Sequence, residues 1–186
     1  VVGDPDVEIV VQHVLGDGSI ATGWPANGKV IATGTDGRAD PTVVADGAGG
    51  CIVAWDDARG SSNDIYAQRL GDDGTESWTA GGVLACGSAL EELTPRGISD
   101  GAGGMLMVME KLDSHTFLSI DVIAQRLDGN GVRPAGWPLG GVTLCAAGNA
   151  QINHRVVSDG LNGAIASWDA YRTGNRDYLA YLKDHA

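Results

Sequence analysis

Asp64-Ile65-Tyr66-Ala67-Gln68 is one of four copies of a single segment. The others are Glu8-Ile9-Val10-Val11-Gln12, Asp121-Val122-Ile123-Ala124-Gln125 and Asp177-Tyr178-Leu179-Ala180-Tyr181, with successive copies about 56 residues apart. A second marker keeps the same register. Asp46-Gly47-Ala48-Gly49-Gly50 returns as Asp100-Gly101-Ala102-Gly103-Gly104 and as Asp159-Gly160-Leu161-Asn162-Gly163, each followed by an apolar run such as Cys51-Ile52-Val53-Ala54-Trp55. Trp24, Trp78 and Trp137 share one repeat position, and Trp55 and Trp168 share another. A unit this short cannot bury its own apolar faces and must stack on neighbours of its own kind. The repeats run 8–63, 64–120 and 121–176, with a partial copy at 177–186.

Each unit reads as four strands. In the middle copy, strand a lies near 96–99, strand b over 105–109, strand c over 121–127 and strand d near 142–145. The Asp-Gly-x-x-Gly link between a and b is a hairpin turn, in which glycine takes positive φ and the Asp carboxylate accepts the turn's own amides. In strand c, Ile65 and Ala67 alternate with Tyr66 and Gln68, which gives two unlike faces. Strand b is apolar on both faces and belongs inside, covered above and below. No stretch carries a helical period, and 29 glycines beside a single Phe suit tight turns between short strands. These features predict an all-β fold of β-propeller-type blades, each of four antiparallel strands.

The series Asp46, Gly47, Gly49, Gly50, Ile52, Val53, Trp55, Asp57 and Arg59, followed by Asp64-Ile65-Tyr66-Ala67-Gln68-Arg69-Leu70, Trp78 and Gly82 to Cys86, resembles tandem propeller-like repeats of large secreted bacterial proteins of unknown function. The resemblance spans nearly the whole chain and implies an extracellular or cell-surface scaffold with no implied chemistry. Propellers close with about four to eight blades. Some three repeats do not close a ring, so the expectation is a homo-oligomer or a part of a longer propeller.

A net charge of −12 and a pI of about 4.4 argue against nucleic acid, whose binding needs Lys and Arg against phosphate, and against anionic membrane surfaces. No segment is long and apolar enough to insert in a membrane, and the start at Val1 points to a longer precursor. Cys86 and Cys145 hold equivalent positions in adjacent units. A bridge between them needs Cα atoms within about 7 Å, so buried thiols are the preferred reading. No Cys or His cluster supports zinc or haem. Calcium is conceivable at the turns Asp4-Pro5-Asp6, Asp72-Asp73-Gly74 and Asp128-Gly129-Asn130-Gly131, although none has EF-hand spacing and plain turns explain them better.

Asp56, Asp57 and Arg59 follow Trp55, Asp169 and Arg172 follow Trp168, and Asp64 and Asp177 stand five residues after each Arg. Paired carboxylates with an Arg suit a glycoside hydrolase. The set recurs, however, and a ring rarely needs duplicated catalytic groups, so an Arg–carboxylate pair pinning the b–c hairpin is preferred. Asp72 to Trp78 approaches a sialidase Asp-box with one residue too many and no leading Ser. Asp46, Asp100 and Asp159 are likewise structural repeat positions.

Binding candidates are the tryptophans Trp24, Trp78 and Trp137, placed to stack on sugars or to plug the space between blades. The irregular b–c loop of the middle copy adds His115 and Phe117. His154, where Pro41 and Pro95 stand in the other copies, reads as a tolerated replacement. The expected function is a non-catalytic extracellular binding or adhesion module for a protein or glycan, with no cofactor. A sialidase-like glycoside hydrolase and a self-assembling surface repeat are the alternatives.

Overall fold

The computed structural model describes residues 7–112 and 119–171 and the backbone of 176–183. The described chain is all-β. None of it is a helix long and apolar enough to cross a membrane. β1 (Ile9–Val11) and β2 (Lys29–Ala32) form a two-stranded sheet. β3 (Arg38–Ala45), β4 (Cys51–Asp57), β5 (Asp64–Leu70) and β6 (Val83–Cys86) follow as an antiparallel meander. β7 (Glu92–Ser99), β8 (Met105–Leu112), β9 (Ile120–Leu127) and β10 (Val142–Cys145) repeat it, and β11 (Gln151–Ser158), β12 (Ala164–Tyr171) and β13 (Arg176–Lys183) form a third sheet. The expected strands a to d of the middle copy correspond to β7 to β10. β7 and β8 are longer than the sequence pattern indicated, since their polar ends continue the ladder.

The Asp-Gly-x-x-Gly turns carry the hydrogen bonds that their composition predicts. Asp46 Oδ1 accepts the N–H groups of Ala48 (2.8 Å) and Gly50 (2.9 Å), and Asp100 Oδ1 those of Ala102 and Gly104 (both 2.8 Å). Asp159 does the same for Leu161 and Gly163. The other oxygen meets an arginine from strand c of the same sheet: Asp46 Oδ2 takes Arg69 Nη2 and Asp100 Oδ2 takes Arg126 Nη2, each at 2.8 Å. Burial pushes both carboxyls up, but the turn amides and the guanidinium outweigh it and hold them below the ordinary range.

Strand b is apolar on both faces because it is sandwiched. Ile52 and Ala54 join Met105, Met107 and Met109 of the next sheet, while Val53 and Trp55 join Ile9 and Trp24 of the preceding one. Val108 in turn joins Ala166 and Trp168. The first strands of successive sheets also touch, and Gly97 N–H donates to Thr42 Oγ1 across β7 and β3 (3.2 Å). Each first strand bulges at the same place. Asp40, Thr94 and Asn153 take φ of 48°, 54° and 57°, and the ladder register shifts there.

Two of the sugar-stacking candidates are plugs between sheets. Trp24 is 8% exposed, donates Nε1–H to Asp72 O (2.7 Å) and covers Gly74. Trp78 donates to Gly129 O (3.2 Å) and lies on Gly131, whose φ is 78°. Trp137 packs on the cluster of Val108 and Trp168. The loop bearing each Trp is tied to strand c by a glutamine: Gln12 Nε2 donates to Pro25 O (2.8 Å), Gln68 to Thr79 O (2.9 Å) and Gln125 to Pro138 O (2.7 Å). A Cβ added at Gly131 would stand 2.9 Å from the Trp78 ring. Gly131→Ala, strained in φ and sterically blocked, is expected to cost about 1–3 kcal/mol in urea unfolding. Gly136→Ala, with open space around it despite φ of 86°, is the milder control.

Candidate functional site: a groove beside the first strand

The carboxylates that resembled a catalytic pair do not face one another. Asp56 and Asp57 are consecutive in β4, so their side chains leave the strand on opposite faces. Asp57, fully buried, accepts Arg38 Nε (3.0 Å), Trp55 Nε1 (2.9 Å) and Arg59 Nη2 through one oxygen, and Arg59 N–H (3.0 Å) through the other. Burial raises this carboxyl, but Arg59 and Trp55 together hold it below the usual range. The Arg59 guanidinium also lies 3.8 Å from the Tyr66 ring centroid and donates to Gly81 O. The pinned b–c hairpin is therefore an Asp57–Arg59 pair. Asp64, opposite Asp57 in the ladder, is not the arginine's partner, and burial raises its carboxyl.

Asp56 turns toward the next sheet, where Oδ1 accepts the N–H of the bulge residue Thr94 (2.9 Å). Glu110 repeats this one sheet later, its Oε1 accepting Asn153 N–H (3.3 Å). Burial, then Asp40 and to a lesser degree Glu110, push the Asp56 carboxyl up to about 8, against the Thr94 amide and Arg96. His154 is more than a tolerated replacement. It is 2% exposed, with Nε2 2.8 Å from Thr94 O, which ties β11 to β7, and with Nδ1 3.5 Å from Glu110 Oε1 of β8.

The other candidate residues are scattered. His115, Phe117 and Arg172 lie outside the described residues, as does the turn Asp4-Pro5-Asp6, and Asp177 is described only by its backbone, paired with Ala170 in β13. Asp73 and Asp128 spend an oxygen on their own turns, accepting Thr75 N–H and the N–H groups of Asn130 and Val132. Among the described residues no three His, Cys, Asp or Glu side chains converge in a metal-binding geometry. Cys51, Cys86 and Cys145 are free thiols. Burial pushes Cys51 to about 11 and Cys86 to about 12, so neither is a ready nucleophile.

The structure does open a site elsewhere. A groove of about 910 Å3 runs between β1 and the outer faces of β3 and β4, lined chiefly by Val10, Val11, Trp24, Val43, Cys51 and Val53. In the two following sheets, strands a and b fill the equivalent space. Here the sheet consists of β1 and β2, the equivalents of c and d, and among the described strands β1 pairs with β2 alone. One wall is a strand edge and the other is apolar, with Val43 61% exposed. Such a cleft offers backbone hydrogen bonds along its edge and pockets for alternate side chains, the requirements for accepting an extended chain.

No protein-family model matches this chain, and no curated protein matches it. Of the described binding candidates named from sequence, only Trp24 lines the groove.

Proposed function

We propose that this chain is a non-catalytic, extracellular propeller-type module that binds a protein partner by accepting strands beside β1. The groove carries this reading, because it sets the edge of β1 against an apolar wall on which Val43 is 61% exposed. An apolar wall facing a strand edge suits a polypeptide. A sugar needs exposed aromatic faces and converging polar groups, whereas Trp24 is covered and its indole N–H is taken. Close packing of first strands, as between β3 and β7, supports blades that converge toward an axis.

The test is a set of peptides alternating Val and Thr, titrated against the chain and followed by tryptophan fluorescence, since Trp24 lines the groove. Saturable binding is expected, lost at least tenfold in Val43→Asp, whose side chain is too exposed to hold the fold together. Equal binding by that variant, or a fluorescence change with a glycan panel alone, sinks the reading.

A further inference from the structure

We infer that His154 is a proton-operated latch between adjoining sheets: with one proton its imidazole holds β11 to β7 alone, and a second proton adds a bond to Glu110 of β8.

The tautomer follows from the acceptor. Nε2 lies 2.8 Å from Thr94 O, and a carbonyl oxygen only accepts, so the proton of the neutral ring sits on Nε2. Nδ1 then presents a lone pair. It is buried without a hydrogen-bond partner, and Glu110 Oε1 stands 3.5 Å away. Two acceptors facing each other gain nothing, whereas an imidazolium carries an N–H for each side, one for Thr94 O and one for the carboxylate. Glu110 Oε1 is already set in place by Asn153 N–H (3.3 Å), from the residue before His154. Engaging Nδ1 as a donor therefore draws β11 toward β8. The bond is present on the acid side of the His154 titration and is lost as pH rises through it.

The latch bears on a strained joint. Thr94 takes φ of 54° and precedes Pro95, where its equivalents are Asp40 and Asn153. Asp and Asn tolerate left-handed backbone, but a β-branched residue does not. Thr94 is held from two directions, its N–H by Asp56 Oδ1 of β4 (2.9 Å) and its C=O by His154 of β11. Such a conformation persists only where the surroundings over-determine it. Pro41 and Pro95 stand where His154 stands and have no ring N–H, so among the described sheets this interface alone has the latch. Charged groups reach the joint from every strand packed on it. Glu110 faces the ring, Asp56 and Asp40 lie beyond Thr94, and Asp169 of β12 accepts Asn153 Nδ2 (2.9 Å). Arg96 Nη1 donates to Pro95 O (3.0 Å) and Arg155 Nη1 to His154 O (2.8 Å).

Nitrogen NMR on the whole chain tests this, with His154→Gln identifying the ring's signals among the four histidines. At high pH the ring should be the Nε2–H tautomer. On acidification Nδ1 should gain its proton, and amide exchange in β11, corrected for its intrinsic pH dependence, should slow about tenfold relative to β4. Glu110→Gln keeps an acceptor for Asn153 N–H, and it and His154→Gln should each abolish that slowing. His154→Pro, the residue at the equivalent positions, gives the same comparison if Glu110→Gln does not fold. An Nδ1–H tautomer at high pH overturns the inference, as does a ring that never takes its second proton in the folded chain. So does β11 exchange that ignores the titration, or a slowing that survives in the variants.

Discussion

Asp57→Ala is expected to lower the unfolding free energy by about 3–5 kcal/mol, the cost of leaving a buried charge without its counter-ion. Asp57 accepts two guanidinium groups and an indole N–H, and Arg38 is itself only 7% exposed. Removing the carboxylate leaves the Arg38 charge desolvated and the Trp55 N–H unpaired, both costly in a low-dielectric interior. The Arg59 side chain is 28% exposed and its loss costs less, so Arg59→Ala should be clearly milder than Asp57→Ala. Urea unfolding of the two variants decides the point, and equal effects would remove Asp57 from the centre of the network. Because its pKa is depressed, the stabilisation from Asp57 is fully present above the ordinary carboxylate pKa and is lost as pH falls below it.

Asp56 has the opposite sign. Its folded pKa is raised from 3.8 to about 8, so between those values the folded chain holds a proton that the unfolded chain releases. Stability therefore falls as pH rises through that window, by up to about 1.4 kcal/mol per pH unit for this group, and levels off above it. Asn keeps an acceptor for the Thr94 N–H and carries no charge, so Asp56→Asn should gain on the wild type steadily from pH 4 to pH 8. Urea midpoints at pH 5 and pH 8 give the comparison. Parallel profiles for the two chains would mean that Asp56 is not the titrating group.

These two neighbours show where sequence reasoning reached and where it stopped. The Asp-Gly-x-x-Gly turns, the strand succession and the twice-covered strand b were legible, because hairpin chemistry and period-two alternation are local properties. The Asp57–Arg59 pair was legible as an Arg–carboxylate contact at the b–c hairpin. That Asp56 and Asp57 serve different interfaces was not, because their partners Thr94 and Arg38 come from different strands. His154 looked like a neutral exchange for proline, and its partners Thr94 O and Glu110 belong to another sheet, about 44 to 60 residues away in sequence. The tryptophans had two open readings, and only the hydrogen bonds of Trp24 and Trp78 to the adjoining sheet's turns separated them.

Residue order alone established a repeated four-stranded unit, its turns and the obligation of each unit to stack, since these follow from side-chain alternation and glycine's access to positive φ. Exposure is a different kind of property. Val43 and Val156 are the same residue at the same repeat position, yet one stands open and the other is packed, because burial depends on whether a neighbouring sheet lies over the position. That placement left a strand edge and an apolar wall facing each other across a groove.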